Sequence, residues 1–144
     1  MKKALAEAEI AASEGEVPVG AVIVKDGEII ASARNNREQS GDATGHAELL
    51  AIREACRVLG GWHLEKCELY VTLEPCPMCM GAIINSRLGK VTFGAKDAKA
   101  GACGSVLNMC AYPLNHKPEV TSGLMDEECA EILSDFFEKK RGRK

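Results

Sequence analysis

Two short motifs hold the residues that could do chemistry: His46-Ala47-Glu48 and, thirty residues on, Pro75-Cys76-Pro77-Met78-Cys79. A spacing of three puts the sulfurs of Cys76 and Cys79 on one face of a first helical turn. The partial positive charge and free N–H groups of a helix N-terminus stabilise thiolate, the form that binds metal. Taken alone, the C-x-x-C pair also reads as a redox couple or as coincidence, and a lone histidine is more often a core or surface residue than a ligand. Taken together, His46, Cys76 and Cys79 are a nitrogen–sulfur set of the right softness for zinc. Three protein ligands leave a fourth position open to water, which is the pattern of a catalytic site. Zinc lowers the pKa of such a water to about 7. Glu48 lies two residues past a ligand and is not needed by the metal, so it can take protons and pass them on. A closed four-ligand knot would need Cys103, Cys110, His63 or His116 as the fourth ligand; none has knuckle-like spacing, and Glu48 would have no role.

The combination H-x-E…P-C-x-x-C resembles the signature of the zinc nucleobase deaminases. The chemistry reads sensibly from the residues, with one zinc per chain. Water adds at the ring carbon bearing the amine, Glu48 carries a proton to the adjacent ring nitrogen, and ammonia leaves.

The elements that must position these groups follow from periodicity and punctuation. Residues 2–14 read as an amphipathic helix with Leu5, Ala8 and Ala12 on one face, stopped by Gly15 and Pro18. Residues 19–24 are a dense β-type run, Asp26-Gly27 is a two-residue hairpin signal, and 28–31 return. Residues 34–44 are polar and turn-rich, and Asp42 or Thr44 is expected to cap a helix that starts near Gly45 and ends at Gly60-Gly61. Residues 68–73 form a strand; Pro75 and Pro77 open a third helix that ends before Gly89. Residues 90–94 and 119–121 are strands, with an irregular stretch and a short helix at 104–111 between them. A closing helix, capped by Asp126, covers 126–140. The order α-β-β-α-β-α-β-β-α predicts an α/β fold: three layers, with a mixed five-stranded sheet and helices on both faces.

The 144 residues suit a single domain, 1–144, ending in a basic tail at 139–144. No apolar run approaches the roughly 20 residues of a membrane helix, and acidic residues interrupt the N-terminal segment, so a cytoplasmic protein is expected. Seven cysteines, an odd count, do not suggest a disulfide framework; Cys56, Cys67 and Cys129 read as small core filler. The net charge of −3 argues weakly against a nucleic-acid partner, yet five of the last six residues are basic. On charge alone the tail reads more readily as a solvated, frayed terminus than as a phosphate contact.

Beyond the zinc motif, several segments resemble the bacterial tRNA-specific adenosine deaminases, a branch of the cytidine deaminase-like enzymes. Residues 16–22, the run Leu69-Tyr70-Val71-Thr72-Leu73-Glu74-Pro75-Cys76-Pro77-Met78-Cys79, the loop 93–101, Asn115-His116 and Asp135-Phe136-Phe137 all look like that family. The resemblance implies the cytidine deaminase-like fold, a homodimer whose partner helps shape each active site, and a tRNA anticodon stem-loop as substrate. Carried over by position, it gives Asn35 as a contact to the target nucleotide and Val17, Pro18 and Leu73 as pocket walls. Asp97, Lys99 and the tail come near the anticodon loop. Without the family, Asn35-Asn36 would read as ordinary turn chemistry and Lys96 and Lys99 as a solvated loop face. Three departures stand out. Asp42-Ala43-Thr44-Gly45 replaces the usual Asp-Pro-Thr-Ala, which should loosen the approach to the ligand helix, and Met80 stands where a smaller residue is common.

The resulting expectation is hydrolytic deamination of wobble adenosine to inosine. Deamination of free guanine, cytosine or cytidine on the same scaffold is the alternative. A catalytically dead partner subunit is a third reading, disfavoured by an intact Glu48, and a redox C-x-x-C protein is a distant fourth.

Overall fold

The computed structural model describes residues 1–142. Its elements are α1 (Lys2–Ser13), β1 (Gly20–Lys25), β2 (Glu28–Arg34), α2 (Arg37–Ser40), α3 (Ala47–Leu59), β3 (Cys67–Leu73), α4 (Pro77–Asn85), β4 (Lys90–Ala95), β5 (Glu119–Ser122) and α5 (Asp126–Arg141). The strands form one five-stranded sheet in the order β2-β1-β3-β4-β5. β1 is antiparallel to β2 and β3, while β3, β4 and β5 are parallel. The β1–β2 turn has Asp26 at φ 52° and Gly27 at φ 78°, the two left-handed residues a tight hairpin requires.

Alternation places an apolar band across one face of the sheet. Ala21 pairs with Val71 and Ile23 with Leu69 across β1–β3; Leu69 pairs with Val91 and Val71 with Phe93 across β3–β4. All six are buried in the core, together with Ala47 and Ala51 of α3 and Met80 and Ile83 of α4. Each large side chain in this band contributes roughly 1.5–3 kcal/mol when fully buried. The band therefore anchors the two helices that carry the motifs. On the other face α1 and α5 touch each other and pack on β1 to β4. That approach is close: a Cβ at Gly20 would strike the α1 backbone at Ala4 and Ala8, and one at Gly94 would strike Cys129 of α5. The mixed sheet with helices on both faces is as expected.

Several local expectations are corrected. The buried stripe of α1 is Ala4, Glu7, Ala8 and Ala11, not the face through Leu5 and Ala12; the alanines allow the close approach to β1, and the Glu7 carboxylate is met by Arg34 of β2 at 3.0 Å. Neither Asp42 nor Thr44 caps α3. The Asp42 carboxylate is taken by the N–H and hydroxyl of Thr44, at 2.8 and 2.7 Å, and the N-cap residue is His46 itself. The polar loop 34–44 contains the single helical turn α2. Residues 104–111 hold only a 3₁₀ turn at Met109–Ala111, since Gly104 sits at φ 133° and the backbone pairs back on itself, with the Gly104 N–H on the Leu107 carbonyl at 2.9 Å and Cys103 bridged to Asn108. α5 begins with Asp126 as its first helical residue, because Met125 before it sits at φ 57°. Gly45 lets the backbone close on α2, where a Cβ would strike Asn36 Oδ1 and sit 3.0 Å from the Arg37 backbone. Lys139, Lys140 and Arg141 are the last turn of α5, complementing its dipole, rather than a loose tail. The tail residues Arg143 and Lys144 lie outside the described residues.

Candidate active site and metal centre

The two motifs arrive at one place because each opens a helix. His46 is the N-cap of α3 and Cys76 the N-cap of α4; both have extended backbone. Pro77 follows as the first residue of α4, where its missing N–H costs nothing, and Cys79 sits one turn from Cys76. β3 delivers α4 from its C-terminal end, where parallel strands with helical crossovers place their ligand sites.

His46 Nδ1 lies 3.7 Å from Cys76 Sγ and 3.5 Å from Cys79 Sγ, and the three donor atoms all fall within 4.8 Å of one another. This is the one group of three or more His, Cys, Asp or Glu among the described residues close enough to hold a metal ion. The donor set suits a borderline-soft divalent metal. The electrostatics agree. A hydrogen bond from the Cys79 thiol, with help from His46, holds Cys76 down to about 4 against the opposing effect of burial. Cys79 is raised because it keeps the proton it shares with Cys76, and burial adds to this. His46 is raised chiefly by its hydrogen bond to Cys76. A cation bound here would take the place of those protons.

Glu48 is buried, with 4 % of its surface exposed, and burial pushes its carboxyl up to about 7. It lines a cleft of about 160 Å³ with His46 and Cys76. Val17, Asn35, Leu73 and Asp97 line the same cleft. Pro18 does not; it is fully buried behind the wall. Lys99 is also outside the lining and exposed, with its N–H on Asp97 Oδ1 at 3.0 Å.

Asn35 is held in a defined orientation. Its Oδ1 accepts a hydrogen bond of 2.8 Å from the N–H of Ala47, the first residue of α3. The amide NH₂ is thereby left as the group Asn35 can offer the cleft.

Sequence reasoning missed two buried carboxylates on the cleft walls. Glu16 accepts from the N–H groups of Glu38 and Gln39, at 3.0 and 2.8 Å, and so holds α2. Glu74 accepts from Asp97, Cys103 and Ser105. The available signal was a charged residue at the end of an otherwise apolar strand run, Leu69 to Leu73. Arg37 and Lys140 also line the cleft.

The family profile described as MafB19-like deaminase matches residues 1–141. The chain is similar to the tRNA-specific adenosine deaminase of Bacillus subtilis (strain 168), 52 % identical over 100 % of this chain and 90 % of that one. It is 54 % identical to the tRNA-specific adenosine deaminase of Aquifex aeolicus (strain VF5), over 98 % of this chain and 93 % of that one. Among solved structures, one from a study of A-to-I editing by tRNA:A34 deaminases at the wobble position superposes with a TM-score of 0.90 at 46 % identity. That match covers 92 % of this chain and 97 % of the other. A guanine deaminase from Bacillus subtilis superposes with a TM-score of 0.65 at 38 % identity, over 97 % of this chain and 90 % of that one.

Proposed function

The chain belongs to the MafB19-like deaminases and to the family of tRNA-specific adenosine deaminases, and from that premise we propose that it converts adenosine to inosine at the wobble position of a tRNA anticodon, releasing ammonia. The observation that carries the reading is the convergence of His46, Cys76 and the buried Cys79 at the cleft that Glu48 lines.

The metal is zinc, one per chain, held by His46, Cys76 and Cys79. Zn–N of about 2.0–2.1 Å and Zn–S of about 2.3 Å at tetrahedral angles put nitrogen and sulfur about 3.6 Å apart. The nitrogen–sulfur separations of 3.5 and 3.7 Å match that spacing. Bound zinc supplies a Lewis acid and makes a nucleophile of water at neutral pH. Glu48 takes a proton from the attacking water, delivers it to the ring nitrogen beside the reacting carbon, and assists the amine as it departs as ammonia. Asn35 donates its amide N–H to an acceptor on the base edge. Val17 and Leu73 are the apolar walls that orient the ring, with Pro18 supporting them from behind. Asp97 and Lys99 stand on the segment that meets the anticodon loop, and Lys139, Lys140 and Arg141 meet its phosphates. An adenosine in an anticodon loop is already unpaired, so moving it into the cleft costs less than opening a duplex.

The working unit is a homodimer in the cytoplasm. Exposed apolar side chains on the motif helices and on the segment after β4 support self-association: Val58, Met78, Val106, Tyr112 and Leu114. Among the described residues no helix is long and apolar enough to cross a membrane.

Free-base deamination is the second reading, with the guanine deaminase superposition behind it, at TM-score 0.65 against 0.90. The proton role of Glu48 is tested by Glu48→Ala: the variant keeps one zinc per chain and loses turnover by about a hundredfold or more. A variant that loses its zinc, or keeps its rate, overturns the assignment.

A further inference from the structure

We propose that Glu74 is a positioning residue for the substrate: its carboxylate hangs the 97–105 segment on the end of β3 and so sets one wall of the cleft. The inference rests on the tRNA reading above.

Glu74 stands between Leu73, the last residue of β3, and the Pro75-Cys76 step into the metal helix. It is 2 % exposed. One carboxylate oxygen accepts from the Asp97 N–H at 3.0 Å and from the Ser105 hydroxyl. The other accepts from the N–H groups of Cys103, at 2.9 Å, and Ser105, at 3.2 Å. An ionised carboxylate has about four acceptor sites, and four donors fill them. This carboxylate thus has no capacity left for a metal or for a moving proton, which separates its role from that of Glu48.

The segment it holds has no regular ladder of its own through 97–105. Asp97 passes the constraint on: its Oδ1 accepts from the N–H groups of Lys99 and Ala100, at 3.0 and 3.2 Å, and its carbonyl accepts from Gly101 at 2.9 Å. Gly101 rests directly on the carboxylate, where a Cβ would strike its atoms. Asp97 and Ala100 both line the cleft. The backbone N–H of Ala102 also donates to the Pro75 carbonyl at 2.8 Å, joining the segment to the turn before Cys76. One side chain therefore locks the substrate-facing loop to the same strand end that delivers a metal ligand. Loosening it should disturb how RNA is held more than the chemical step.

The test is Glu74→Gln, which keeps the shape and sets an amide NH₂ against N–H donors. Zinc content, amide hydrogen exchange and steady-state kinetics on a wobble-adenosine anticodon stem-loop are measured beside wild type. The expected result is one zinc per chain, faster exchange at Asp97, Cys103 and Ser105, KM raised about tenfold and kcat within about threefold. Unchanged exchange, lost zinc, or a fall in kcat with KM unchanged overturns the positioning role. If Glu74→Gln is not recovered folded, Ser105→Ala removes the hydroxyl donor alone and should shift KM the same way by a smaller factor; an unchanged KM there is contrary. Wild-type protein without activity on the stem-loop would instead overturn the tRNA reading. That outcome is distinct from an active wild type whose KM is indifferent to Glu74.

Discussion

The side-chain Oδ1 of Asn35 accepts a hydrogen bond of 2.8 Å from the backbone N–H of Ala47, the residue between His46 and Glu48. One amide thereby starts the ligand helix and faces the cleft. The two tasks separate by substitution. Asn35→Asp keeps the acceptor and removes the donor, so thermal stability should stay near wild type while KM on the stem-loop rises. Asn35→Ala removes both and should also lose about 1 kcal/mol of stability, the usual worth of a helix N-terminal cap. Thermal melts beside kinetics check this; equal melting temperatures for the two variants would contradict it.

Metal removal should unmask a particular thiol. Without the cation, Cys76 is held near pKa 4 by the Cys79 thiol and His46, so it is thiolate at neutral pH. Burial pushes Cys103 up to about 12 and Cys129 up to about 11. Chelated protein treated with iodoacetamide at neutral pH should be alkylated first at Cys76, with Cys103 and Cys129 spared. Zinc-loaded protein should resist at Cys76. Peptide mapping reads the order, and early labelling of Cys103 would run against the account.

The basic last turn of α5 should act through phosphates. Lys140 lines the cleft and Lys139 lies beside it in the sequence. Replacing Lys139 and Lys140 with Gln should weaken stem-loop binding. The slope of log affinity against log salt should fall by about 0.7 for each phosphate that is no longer neutralised. Binding titrations across a range of salt measure that slope. An unchanged slope would make this turn an ordinary solvated helix end.

The convergence of His46, Cys76 and Cys79, a group that could hold a metal ion, was readable in the sequence because that chemistry dictates both residue type and spacing. Two sulfurs three apart at a proline-marked helix start read alone as a redox pair or a metal pair, and a histidine with a glutamate two residues on is what favours the metal. The sheet was readable because alternation and the Asp26-Gly27 turn are local signals. Glu16 and Glu74 were not readable as loop holders. Their partners lie 22 to 31 residues away, and a carboxylate that accepts backbone N–H groups carries no sequence period. The absent helix at 104–111 has a similar origin: local composition allowed one, but the bridge of Cys103 to Asn108 and the turn at Gly104, with φ 133°, fold the segment back on itself. Likewise Asp42 has the residue type of a cap, but its carboxylate closes its own turn on Thr44.

The most direct test of the central claim is product analysis with zinc-loaded protein on a wobble-adenosine anticodon stem-loop, run beside free adenosine, cytidine, cytosine and guanine. Inosine and ammonia are expected from the stem-loop, with the free bases and nucleosides left unchanged. Ammonia from guanine or another free base, with the stem-loop untouched, would keep the cleft chemistry and contradict the tRNA substrate.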